Sequence, residues 1–144
     1  MPSPFSALPH GPSFRFVDQV TSLTPGISGT GTYTLRGDED FLSGHFPGHP
    51  LMPGVLLIEA VAQLGGVVAQ SDPTIPALAD LKLTAVRGAK ITGSAVPGEV
   101  LEIQASVAGR MGSLIQVQGE VRCAGRLLLT AQITLSGTPI SALP

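Results

Sequence analysis

Residues 44–54 read GHFPGHPLMPG and place two histidines, His45 and His49, in a loop stiffened by three prolines. The apolar run VLLIEAVAQLGGVVA follows at once, interrupted by only two polar side chains, Glu59 and Gln63. Imidazole changes charge near neutral pH, so a loop histidine is a candidate proton acceptor. The Phe46-Pro47 and His49-Pro50 bonds push the residue before each proline to extended backbone, and such a loop can hold His45 still. A carboxylate set among Val55, Leu56, Ile58 and Val61 loses hydration unless it finds a partner. Glu59 is therefore either a structural acid bonded to a neighbouring strand or a group kept for its chemistry. Gln63 stands four residues on, so a helix would bring both polar groups to one face. Gly54 follows Pro53 at the expected helix start, where the first N–H groups lack intrahelical partners and could receive a carbonyl oxygen as it gains charge.

Each of these residues also has a plainer reading. A loop histidine is often a surface or packing residue, and a glycine at Gly54 also suits a tight turn. His45 and His49 have the spacing of an H-x3-H metal pair, but no helix spans them and no third ligand lies nearby in the sequence, so no metal is expected. Cys123 falls on an apolar strand face and reads as core. His10 sits in the Pro/Gly-rich lead MPSPFSALPHG and gains no role from its surroundings in the sequence.

The elements that must position these groups follow from periodicity. Phe14 to Leu23 and Gly31 to Leu35 read as short strands joined by the turn Thr24-Pro25-Gly26. From Gly54 to about Gln70 nothing alternates, the length suits a helix, and Pro53 suits its first turn. A helix apolar nearly all round should be buried. After a loop at 71–76, Ala79 to Val86 reads as a strand. Leu101, Ile103, Ala105 and Val107 then alternate with Glu102, Gln104, Ser106 and Ala108, the pattern of a half-buried strand. Gly109 to Gly112 turns the chain, Ile115 to Cys123 alternates again, Ala124-Gly125 makes another turn, and Leu127 to Leu135 completes the set. The order β-β-α-β-β-β-β predicts an α+β domain, an antiparallel sheet wrapped around one central helix.

The 144 residues suit one domain, with residues 137–144 as a loose tail. A hydrophobic share of 43% is enough for a core, while eight Lys and Arg scattered singly leave no nucleic-acid footprint. So few charges, 12% of the chain, imply that some apolar surface meets another subunit. The lead segment has neither the basic start nor the apolar core of a secretory signal, and the run 51–69 is too interrupted to insert in a membrane. One cysteine excludes an intrachain disulfide and fits a cytoplasmic location.

The twenty residues GHFPGHPLMPGVLLIEAVAQ closely resemble the signature of bacterial 3-hydroxyacyl-acyl carrier protein dehydratases of the hotdog fold. LPH (8–10) with FRFVDQV (14–20) is similar to that family's opening segment, and VPGEVLEI (96–103) to the start of a later strand, so the resemblance runs from about Leu8 to Leu135. It implies a homodimer with active sites shared at the subunit interface, leaving room for a trimer of dimers, and no cofactor. His45 matches the family's catalytic histidine and Glu59 its helix acid, one supplied by each subunit. Gly54 matches the glycine whose amide polarises the thioester carbonyl, and Gln63 a supporting position beside the substrate.

Elimination of water needs a base for the Cα proton, a donor for the enolate-like oxygen and an acid for the departing hydroxyl. His45, the Gly54 N–H and Glu59 would fill those roles in turn, with the apolar remainder of the helix lining a slot for the acyl chain. The family's basic cluster near a segment of the type A-R-F-K-R is reduced here to Arg87 and Lys90 in RGAKITG, what remains of a docking patch for an acidic carrier. That departure leaves coenzyme A thioesters or a specialised carrier open. A glutamate rather than the aspartate of the related dehydratase-isomerase branch favours plain dehydration. Two other readings stand beside it: a hotdog acyl-thioesterase, and a non-catalytic subunit that binds acyl chains.

Overall fold

The computed structural model describes residues 4–144. Six strands form one antiparallel sheet in the order β1-β2-β4-β5-β6-β3. They are β1 (Gln19–Thr24), β2 (Ser28–Thr34), β3 (Leu78–Ile91), β4 (Val100–Met111), β5 (Leu114–Cys123) and β6 (Arg126–Pro139). One long helix, α1 (Gly54–Gln70), packs against one face of the sheet. This is the sheet around one helix expected from the order of periodicities, and the hotdog that the family resemblance implies.

The alternating strands place their apolar sets on α1. Leu101, Ile103 and Ala105 of β4, Ile115, Val117 and Val121 of β5, and Leu129, Ala131, Ile133 and Leu135 of β6 are all buried in one cluster with Leu57, Val61 and Leu64. Glycine sets how closely the helix approaches. A Cβ on Gly119 would collide with the Val61 side chain and the Gln104 carbonyl, and one on Gly65 would meet Val117 Cγ1 at 2.8 Å. The first hairpin turns as its residues require, with Pro25 followed by Gly26 at φ 73° and Ile27 N–H donating to the Thr24 carbonyl at 2.9 Å.

Four local differences from the sequence reading have physical causes. Phe14 ends a turn of 3-10 helix (Pro12–Phe14) and β1 begins only at Gln19, because Phe16 and Val17 are both buried and their side chains do not alternate. Phe16 joins the rings of Phe14, Tyr33 and Phe41 edge-on, while Val17 fills the space beside Gly31. Strand β3 runs on to Ile91, past the Val86 suggested by alternation, since three register shifts and an exposed outer half erase the period-two signal. Residues 137–139, expected in a loose tail, continue β6: Thr138 pairs with Ala79 and Pro139 with Leu78, and Gly137 N–H donates to Ser113 O at 3.1 Å. Helix α1 is fully buried from Ala60 to Ala69, but its first turns are not, and Val55 is 67% exposed.

Candidate active site

The loop that carries His45 is anchored from below. The Glu39 carboxylate accepts hydrogen bonds from the Tyr33 hydroxyl (2.7 Å), Arg36 N–H (3.0 Å) and Gly37 N–H (2.8 Å). Burial pushes that carboxyl up, but the three donors outweigh it and hold Glu39 below the ordinary carboxylate range. Burial together with the same carboxylate pushes the Tyr33 hydroxyl well up. A turn of 3-10 helix, Asp40–Leu42, follows and buries Leu42. The chain then folds back on itself: Phe46 N–H and His49 N–H each bond to the other residue's carbonyl, at 3.0 and 2.9 Å, with Gly48 at φ 77°.

His45 is tied to Leu51 twice. Its carbonyl accepts from Leu51 N–H at 2.8 Å, and its ring Nδ1 lies 3.0 Å from the Leu51 carbonyl. A carbonyl only accepts, so Nδ1 carries a proton, and in the neutral ring Nε2 presents the lone pair of a general base. The ring stacks on Phe46 at a centroid distance of 4.0 Å. His49 is exposed and does not join His45 in a ligand set, and no group of three His, Cys, Asp or Glu side chains among the described residues could hold a metal ion.

Glu59 lies on α1 with 16% of its side chain exposed. Its Oε1 accepts a hydrogen bond from Gln63 Nε2 at 3.3 Å and, unforeseen from the sequence, lies 2.9 Å from His10 Nε2. The need for a partner was legible in an acid surrounded by aliphatic residues, but its location in the lead segment was not. Gln63 is 1% exposed, and its amide also donates to Phe14 O at 2.8 Å and accepts from Phe16 N–H at 2.8 Å. Gln63 thus braces residues 14–16 on the helix through both ends of its amide.

Gly54 is the first residue of α1, and its N–H has no partner among the described residues. No side chain caps this end. A Cβ there would come within 2.7 Å of Ile91 Cδ1, so the glycine also allows the end of β3 to approach. Within the protomer no hydrogen bond links His45 to Glu59. Arg87 and Lys90 are exposed on β3, the former at a register shift and the latter lining a polar groove with Gln104, Gln118 and Gln132 on the sheet face away from α1.

The model of the FabA-like domain matches residues 8–132. The chain is 34% identical to the 3-hydroxyacyl-(acyl-carrier-protein) dehydratase FabZ of Syntrophotalea carbinolica, over 93% of this chain and 91% of that protein. It is 37% identical to the FabZ of Acidiphilium cryptum, over 83% of this chain and 73% of that one. Among solved structures, the dehydratase heterocomplex ApeI:P of Xenorhabdus doucetiae superposes with a TM-score of 0.80 at 21% identity, covering 98% of this chain and 94% of that one. A hypothetical thioesterase of Streptococcus pneumoniae with coenzyme A gives 0.65 at 14% identity, covering 84% and 85%, and shares the fold alone. With a family model spanning nearly the whole chain and relatives above 30% identity over most of their length, this chain belongs to the FabA-like domain family.

Proposed function

We infer that this protein dehydrates 3-hydroxyacyl thioesters to trans-2-enoyl thioesters in fatty acid or related acyl-chain biosynthesis; its FabZ relatives are named 3-hydroxyacyl-(acyl-carrier-protein) dehydratases. The observation that carries the reading is the pairing of a base and an acid in complementary states of preparation. His45 is held with Nε2 free, and Glu59 is held on apolar ground with one oxygen engaged and the other without a partner. Nε2 of His45 takes the Cα proton, and the electrons of that C–H bond move toward the thioester carbonyl, whose oxygen is met by the Gly54 N–H. Those electrons return to form the Cα=Cβ bond as the Cβ–O bond breaks, and the leaving hydroxide receives the Glu59 proton and departs as water. Return of one proton from His45 to Glu59 through solvent resets the site. The reaction is redox-neutral and balances without a cofactor.

His45 and Glu59 come from different subunits of a homodimer in this reading. Three features support it: the absence of a bond between them within one chain, the exposed apolar groups Phe46, Val55, Val86 and Ile91, and a fourteen-residue edge strand, β3, with one side unpaired. An unpaired edge of that length is a template for a second strand. Arg87 and Lys90 on the same strand remain the candidate contacts for an acidic carrier, with coenzyme A as the alternative carrier. Location in the cytoplasm suits a chain whose single cysteine is a buried thiol, and no helix of the described residues is long and apolar enough to cross a membrane.

The experiment is incubation with 3-hydroxyacyl thioesters of several lengths on both carriers, with absorbance of the conjugated enoyl thioester and free thiol read together. Double-bond formation without thiol release is expected. Thiol release without a double bond would make the protein a thioesterase and sink this reading.

A further inference from the structure

We propose that His10 is a positioning residue that divides the labour between the two oxygens of Glu59, holding Oε1 so that Oε2 is the oxygen that carries and delivers the proton. The inference rests on the reading of Glu59 as the acid. His10 Nε2 and Gln63 Nε2 both reach Oε1, at 2.9 and 3.3 Å, and Oε2 has no partner among the described residues. A carboxylic acid whose Oε1 accepts two N–H donors is protonated on the other oxygen, since a proton on Oε1 would face those donors. When the proton leaves, the same two donors stabilise the carboxylate that remains.

The two ring nitrogens of His10 sit in different surroundings, and it is Nε2 that faces Glu59. Its Nδ1 is closed off from solvent and has no hydrogen-bond partner, which suits a bare lone pair and penalises a second N–H. With the proton on Nε2, that nitrogen is placed to donate to Glu59. The ring lies nearly parallel to Phe14, at 6.1 Å and 16°, and Phe14 is itself tied to Gln63 through its carbonyl. The crevice around the pair is walled by Leu8 of the lead, Ala62 and Gly66 of α1, Leu81 and Leu83 of β3 and Leu135 of β6; His10 and Glu59 are the ionisable groups lining it. Arg15, the nearest charge along the lead segment, is turned over the Phe5 ring at 5.0 Å.

Two substitutions separate the donor from the ring. His10→Phe keeps a ring on Phe14 and removes the donor; His10→Gln loses the ring and keeps an N–H at similar reach. The expected order of kcat is wild type, then His10→Gln within a few-fold, then His10→Phe at roughly a tenth or less, with KM changed little. Loss of a donor to the charged form favours the protonated acid, so the alkaline limb of kcat in His10→Phe should move to higher pH, and His10→Gln should return it. The double variant His10→Phe/Glu59→Gln should be no slower than Glu59→Gln alone, because His10 acts through Glu59. The reverse order, with His10→Phe active and His10→Gln impaired, would reduce His10 to packing and overturn the proposal, as would an unmoved pH limb. If Glu59→Gln itself turns over normally, the reading of the acid fails and this proposal with it. An inactive Glu59→Gln beside a normal His10→Phe rejects the positioning role alone.

Discussion

The C-terminal end of α1 is closed by its own chain. Arg110 of β4 donates to the Ala69 carbonyl at 2.5 Å, the Ser71 hydroxyl and the Gly26 N–H both reach the Val68 carbonyl, and Gln70 exchanges two hydrogen bonds with the backbone of Leu78. The guanidinium also sits where the helix dipole is negative. The N-terminal end has none of this. No side chain caps it, the Gly54 N–H is unpartnered, Val55 stands exposed, and the one acid of the helix lies a turn further in. The contrast teaches that the chain completes its hydrogen bonding where the helix has only to stay in place and leaves donors uncommitted where a substrate and a second subunit would complete them.

The largest effect should come from the open end. Glu59→Gln keeps the volume and the contacts to His10 and Gln63 but cannot deliver the same proton, so steady-state turnover should fall roughly 100-fold or more while the melting temperature barely moves. Near-wild-type turnover would break the contrast, and a large fall in melting temperature would make Glu59 a structural acid. A smaller and opposite effect should come from the closed end. Arg110→Met keeps the aliphatic stem and removes the bond to Ala69, at a cost of about 1–2 kcal/mol. Thermal melting should drop by a few degrees with kcat unchanged, and a loss of turnover at constant stability would show that the two ends are not separable.

Much of this layout was readable in advance, because it is written in short-range patterns. Helix α1 was bounded at Gly54 and Gln70 by a proline before it and the end of the apolar run after it, and β4, β5 and β6 followed from period-two alternation of Leu101, Ile115, Leu129 and their neighbours. Alternation stops short of the end of β3, because an exposed, bulged edge carries no period-two signal. The site was legible to the extent that an acid in an aliphatic run demands partners. Gln63 was found at helical spacing, whereas His10, 49 positions before Glu59, meets it only because Gln63 pins Phe14 and Phe16 to the helix. Tertiary contacts of that range leave no periodic signal.

The central claim is that the open end of α1 is completed by a second copy, so that one site takes His45 from one subunit and Glu59 from the other. His45→Ala and Glu59→Gln proteins, each inactive alone, can be unfolded and refolded together, with exchange verified by two affinity tags. A two-fold dimer with shared sites gives every mixed dimer one doubly altered site and one intact site, and random pairing makes about half the dimers mixed. Recovery of roughly a quarter of wild-type activity is the predicted result under this two-fold geometry. Activity that stays at the level of the separate variants, despite demonstrated exchange, would contradict it.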